Sequence, residues 1–402
     1  MTALAAAALL LLGALLAAVI LPLVRRSGPP ASNSIEERIE ALSVRLDETS
    51  FALEQALGRL RPEGETAAAA AGPAPKVTPD AAIARAAAFL RRRLRSGAYG
   101  LSCTGSDGTP RFSDNKGHVF VAFFVAEAMS GLLDEIDRTI LLTRLLSEEI
   151  DGKWGFSPPG PFHDQRMRVF HVDADDTAYV IRTLRSLGVN RPPDSLLGFY
   201  REPERLFVTF DGAGPARLST QASPQNNFLA HPEVNANIFL ALAGTHLEQV
   251  ANYDALRGAQ DERGAWTSYF YPSPLFGTAL AVDALAAHDA SAPAIERALS
   301  FIAESQNEDG SWGSGGDALE TALAVAALAG RSDHAESQRR GIESLLATIA
   351  EDGSWSSPAC IWQFHAGDGD VWRAFDRHRT FVTARCMTAL RRAGRASSAA
   401  QP

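Results

Sequence analysis

The chain has 402 residues, 46% of them hydrophobic and 21% charged, enough apolar material for a sizeable core and too much for disorder throughout. A formal charge of −9 offers no general field for phosphate backbones, which argues against nucleic-acid binding. Cys103, Cys360 and Cys386 are odd in number and widely spaced, so they form neither a disulfide framework nor a CxxC zinc pattern, and they point to a reducing compartment.

From Thr2 to Val24 no side chain is charged. Such a run can cross a hydrocarbon layer roughly 30 Å thick as a helix. Nothing basic precedes it and Arg25-Arg26 follow, the arrangement of a retained transmembrane anchor over residues 1–26 rather than a cleaved leader. The positive-inside rule then places the main domain in the cytoplasm. Over residues 33–62, Ile35, Ile39, Leu42, Leu46, Thr49, Leu53, Ala56 and Leu60 alternate steps of four and three. That seam predicts a coiled-coil stalk forming a homodimer through residues 35–60, or a single amphipathic helix packed on the main domain. Residues 63–78, rich in Ala and Pro, read as a linker, and residues 396–402 as a disordered tail.

Residues 79–395 show no alternating strand pattern and are full of Ala/Leu runs broken by Gly-Ser-Pro loops, which predicts an all-α domain. A Thr-Ala or Asn-Ala tract opening an apolar helix recurs around Thr177, Asn235, Thr278, Thr321 and Thr383, with a looser copy around Val121. A second helical stretch lies ahead of each copy: Asp80–Leu94, Asp134–Ile150, Pro193–Leu206, His246–Gly258, Ala292–Ser305 and His334–Ala350. Gly-Trp loops end at Trp154, Trp266, Trp312 and Trp355. Six hairpins that cannot each bury an apolar face predict a single (α/α)6 toroid with the small-residue helices inside.

If the inner helices run parallel, the tract starts line one mouth. They are Asp175-Asp176, Glu233-Val234, Phe276-Gly277, Leu319-Glu320 and Phe381-Val382. The first is unlike the rest, because Asp173, Asp175 and Asp176 crowd one helix start and cannot all ionise independently. Backbone N–H groups there would hold Asp176 or Asp173 ionised, while repulsion and an apolar cavity keep a proton on Asp175. Such an acid can protonate an alkene or epoxide if aromatic faces stabilise the cation. Ordinary helix capping is the competing explanation. Candidate cavity rings are Phe120, Phe124, Tyr179, Phe239, Tyr271, Phe276 and Phe381.

HVDADDTAYV resembles the D-x-D-D-T-A signature of class II terpene cyclases, squalene-hopene cyclases included, and ESQNEDGSWGS at 304–314 resembles their QW motif. The resemblance implies a cyclase of linear isoprenoids that works without a metal, with Asp175 as proton donor flanked by Asp173 and Asp176, and it suits a membrane tether. This chain is long enough for one helical barrel where the family's full-length members have two. The family tunes its acid through a histidine or water network, for which His171, His231 and His365 are candidates. The QW signature reads as complete at Trp312 and partial at Trp154, Trp266 and Trp355, all four being structural plugs. Two other readings stand: a non-catalytic toroid that holds a lipid or partner, and a zinc-dependent prenyltransferase drawing on Cys360, His365, Asp370 and His378. A sugar-cleaving toroid would pair Asp175 with Glu320.

Overall fold

The chain divides into two units, Met1–Ala69 and Ala70–Pro402. The computed structural model describes residues 77–113, 119–156, 172–210, 226, 228–365 and 369–399, all within the second. The anchor, the stalk, His171 and most of the linker lie outside the described residues. Among the described residues no helix is long and apolar enough to cross a membrane.

The domain opens with α1 (Pro79–Ser96), where Thr78 caps the helix by accepting from the Ala81 N–H at 3.3 Å and Pro79 takes the first turn. There follow β1 (Ser102–Thr104), β2 (Pro110–Ser113), α2 (Val119–Ala128), α3 (Glu135–Ser147), α4 (Ala174–Ser186), β3 (Tyr200–Arg201), β4 (Leu206–Phe207), α5 (Pro232–Leu242) and α6 (Tyr253–Gly258). Next come α7 (Pro274–His288), α8 (Pro293–Glu304), α9 (Ala318–Ala327), α10 (Ala335–Thr348), β5 (Trp362–His365), β6 (Val371–Phe375) and α11 (Thr380–Ala399).

Burial separates two kinds of helix. In α2 and α9 nearly every side chain is buried, as expected of helices covered on all sides. α1 buries one stripe, Ala82, Ala86, Leu90 and Leu94 among it, and α10 buries only Gly341 and Leu345. The fully covered helices pack in sequence: α2 on α4, α4 on α5, α5 on α7, α7 on α9, α9 on α11, and α11 back on α2. α1, α3, α6, α8 and α10 pack outside that cycle. Ala-rich sequences suit the inner positions because slim side chains let helix axes approach.

The Thr and Trp repeats lock the two layers together. The Trp154, Trp266, Trp312 and Trp355 N–H groups donate to the hydroxyls of Thr177, Thr278, Thr321 and Thr383 at 3.0–3.1 Å. Their indole N–H groups donate to the carbonyls of Leu145, Leu256, Ile302 and Leu345, near the ends of the outer helices. Each tryptophan thus ties an outer helix to the start of an inner one, all four being fully buried. The remaining tract does the same with other residues: Asn235 accepts from the Phe207 N–H and donates to the Phe207 carbonyl, both at 2.9 Å. Thr321→Val leaves the Trp312 N–H without an acceptor, an expected cost of about 1–3 kcal/mol in urea unfolding.

The structure corrects the all-α expectation. β1, β2, β5 and β6 form a four-stranded antiparallel sheet in the order β2-β1-β6-β5. Strands this short, with β1 and β6 paired across more than 250 residues of sequence, leave no local period. Pro193–Leu206 is a 3-10 turn, Pro193–Phe199, followed by the β3–β4 hairpin, because successive prolines and Gly198 do not sustain an α-helix. Of His246–Gly258 only α6 and one 3-10 turn are helical. The presumed tail is helical as far as Ala399.

Candidate active site

The starts of the inner helices meet at one end. Asp173 caps α4, its Oδ1 accepting from the Asp176 N–H at 2.8 Å. Its own N–H donates to the Trp154 carbonyl, and the Ala174 N–H to the Thr209 carbonyl, each at 2.9 Å. So the motif is fixed by backbone on both sides before any side chain acts.

Asp175, one residue into the helix, is half-buried, while Asp173 and Asp176 are buried. Tyr271 Oη donates to its Oδ2 and Asn237 Nδ2 to its Oδ1, both at 2.8 Å. The Asn237 orientation is set from behind: Arg182, which can only donate, bonds Asn237 Oδ1 at 2.7 Å and leaves Nδ2 to face the acid. Burial and the nearby Asp173 charge push Asp175 up to about 7, against the pull of Tyr271, Asn237 and Arg182. Asp173 rises to about 6 through burial, held back by bonds from Asp176. Asp176 goes well above the usual range through burial and both neighbouring charges, and its carboxyl donates to Asp173. Asp176 receives no backbone support and keeps its proton, so of the two candidates for the charged member the structure favours Asp173.

Beside the acid lies a closed aromatic cluster. Tyr271 stacks on Phe276 with centroids 3.8 Å apart. Phe120 stacks on Phe381 at 5.5 Å and faces Tyr271 at 6.4 Å. Phe124 meets Phe381 at 4.7 Å, and Tyr179 lies flat on Phe123 at 4.3 Å. Phe156 joins Phe120 to Trp362. Six of the seven candidate rings therefore converge. Phe239 does not: it packs against Phe207 and Tyr253, away from the others, because its position on α5 faces outward.

Below the rings, Glu127, Asp283, Arg385 and Arg392 form a paired charge layer, with Arg385 over the Phe124 ring at 5.1 Å. Sequence reasoning missed Asn237, Tyr271's bond to the acid, Arg182 and the placement of Glu233. Only Glu233 carried a signal, as a tract start. Cys360, His365, Asp370 and His378 are not brought together. Cys360 is pushed up to about 11 by burial, and Asp370 serves Ser106 and Trp372. Among the described residues no group of three or more His, Cys, Asp and Glu side chains is placed to hold a metal ion. His231 stacks on Tyr269 at 4.2 Å and His365 lies 5.4 Å from the same ring, two residues from the acid's own partner.

Residues 238–366 match the squalene-hopene cyclase C-terminal domain. Over that segment the chain is similar to squalene-hopene cyclases. It is 32% identical over 174 residues to the uncharacterized protein y4kT of Sinorhizobium fredii, covering 43% of this chain and 29% of that one. It is 29% identical over 164 residues to the labda-7,13-dienyl diphosphate synthase of Streptomyces clavuligerus, covering 38% of this chain and 27% of the synthase. The chain thus matches less than a third of the length of these curated relatives. Its fold is similar to that of the type II terpene cyclase MstE from Scytonema, with a TM-score of 0.62 at 18% identity over 79% of this chain and 98% of MstE. The likeness spans nearly all of MstE and is one of fold alone.

The QW motif also needs correcting. Gln260 lies six residues ahead of Trp266, as Gln306 does ahead of Trp312. Each donates through Nε2 to the glycine carbonyl four residues on and to a carbonyl of the next outer helix. The copy at Trp266 is complete.

Proposed function

We propose that the protein is a protonation-initiated cyclase of a linear isoprenoid, with Asp175 as general acid. The observation carrying this is a carboxyl bonded by Tyr271 and Asn237, more exposed than its two neighbours, at the edge of a buried aromatic cluster. In the first step the Asp175 proton passes to one carbon of an alkene and the other becomes cationic. Tyr271 and Asn237 already donate to the carboxylate that remains, so the developing negative charge meets preorganised donors. Phe120, Phe381, Phe276 and Tyr271 offer faces to the cation, an attraction of about 2 kcal/mol or more when desolvated. Loss of a proton from the product cation makes the reaction a net isomerisation. Asp173, charged, keeps the proton on Asp175, and Asp176 supports Asp173. The single (α/α)6 toroid, a membrane tether at residues 1–26 and a stalk at 35–60 complete the reading, with the domain on the cytoplasmic side.

MstE is named in complex with geranylgeranyl dihydroxybenzoate as substrate, and that compound with geranylgeranyl diphosphate makes a first substrate panel. A cyclised product of unchanged mass supports the proposal, and unaltered substrate from every member of the panel rejects it. Tyr271→Phe removes one donor from Asp175. The acid should then titrate higher, moving the alkaline limb of the pH–rate profile upward, while turnover falls about 10-fold through the lost stabilisation of the conjugate base.

One observation favours a non-catalytic, lipid-holding toroid instead: Phe120, Phe124, Phe276 and Phe381 are at most 2% exposed and pack on each other. Lipid that co-purifies without being converted would identify that case.

A further inference from the structure

A second buried carboxyl stands in the same mouth. Glu233, on the second position of α5, is fully buried. Its Oε1 accepts from the Tyr269 and Phe270 N–H groups at 2.7 and 2.9 Å, and its Oε2 is buried with no partner. A capping carboxylate binds the first turn of its own helix, whereas this one reaches to another segment and leaves half its bonding capacity unused, a cost of roughly 1–3 kcal/mol.

The segment it reaches is the one that touches the acid. Residues 269 and 270 hold Glu233 through their N–H groups, and the next residue, Tyr271, holds Asp175 through its hydroxyl. From the other side, Gln363 of β5 donates to the Phe270 and Tyr269 carbonyls at 2.8 and 3.2 Å. Three consecutive residues, clamped on both sides, therefore fix two carboxyls on neighbouring inner helices. Burial and the Asp175 charge raise Glu233 to about 7, and a repulsion between two charges acts on both of them.

On the reading that Asp175 is the general acid, we propose that Glu233 is a positioning residue that keeps a proton on Asp175, the two carboxyls acting as a pair bridged by residues 269–271. The groups facing Asp175 are Asp173, Asp176, Tyr179 and Arg182 of α4, Asn237 and Glu233 of α5, and Tyr271. Glu127 of α2 and Arg385 of α11 act on Tyr179. His231 and Tyr269 face Glu233, with His365 of β5 against Tyr269.

The test is carboxyl carbon NMR on the full chain labelled at Asp and Glu, with Asp175 assigned by its loss in Asp175→Asn. In the wild type, Asp175 and Glu233 should each titrate in two shared steps. Glu233→Gln should remove from the Asp175 curve the step it shares with Glu233, leaving the one set by Asp173, and lower its midpoint by about half a pH unit or more, and the alkaline limb of turnover should move down with it. An unchanged Asp175 curve overturns the proposal. If Glu233→Gln does not fold, the wild type decides alone, since two independent single-step curves overturn it equally. Coupled curves in a protein that cyclises nothing support the pair while rejecting the acid reading.

Discussion

Asp175→Asn should lower cyclisation by about 10²–10⁴-fold, the usual contribution of a positioned proton donor, while leaving the fold intact. The amide replaces the carboxyl in size but has no proton to give at any pH. Its effect on stability has the opposite sign. Asp175 titrates at about 7 in the folded protein against 3.8 ordinarily, so ionisation is disfavoured by folding. The stability it contributes is complete below the ordinary value and is lost as pH rises from there to about 7. Asparagine does not titrate, so the variant should be the more stable protein at pH 8, with the advantage vanishing near pH 4. Product analysis by mass spectrometry and thermal unfolding at both pH values check the two halves. A variant that turns over normally, or that loses stability at pH 8, would dismiss Asp175 as a strained acid.

Gly353→Ala should be the most destabilising single methyl in the outer layer. Its φ is +90°, and a Cβ there would stand 2.4 Å from the Arg85 carbonyl oxygen on α1. Left-handed strain and the backbone clash together give about 2–5 kcal/mol. The same approach recurs at Gly264 against Arg297 and at Gly310 against Arg340. Gly369 separates the two causes, because its φ is +85° but no atom lies within 4 Å of a Cβ there, so Gly369→Ala should cost only about 1–2 kcal/mol. Urea unfolding of both variants checks the difference, and equal midpoints would remove the contact from the explanation.

The repeat was legible because the Thr–Trp hooks use residues near one another in sequence, nine positions apart at Trp312 and Thr321, twelve at Trp266 and Thr278, and no more than 28 at the other two. The acidic motif was legible because three carboxylates at one helix start are conspicuous chemistry. What escaped depends on distance along the chain. Asn237 and Tyr271 reach Asp175 from 62 and 96 residues away, and an ordinary Asn within an apolar run signals nothing. The sheet escaped for the same reason, since Cys103 pairs with Ala374. The choice between Asp173 and Asp176 stayed open in the sequence because the N–H groups that support an anion at a helix start serve the capping residue, and here that is Asp173.

Arg85 of α1 bonds the carbonyls of Ala350 and Glu351, β1 pairs with β6, and α2 packs on α11. The earliest elements to leave the ribosome therefore wait for the latest before their apolar faces are covered. At about 5–20 residues per second the wait for α11 lasts on the order of ten seconds or more. During that interval α2, with its three phenylalanines, is an open hydrophobic surface, and a nascent chain of this design depends on whatever shields it until the final helix arrives.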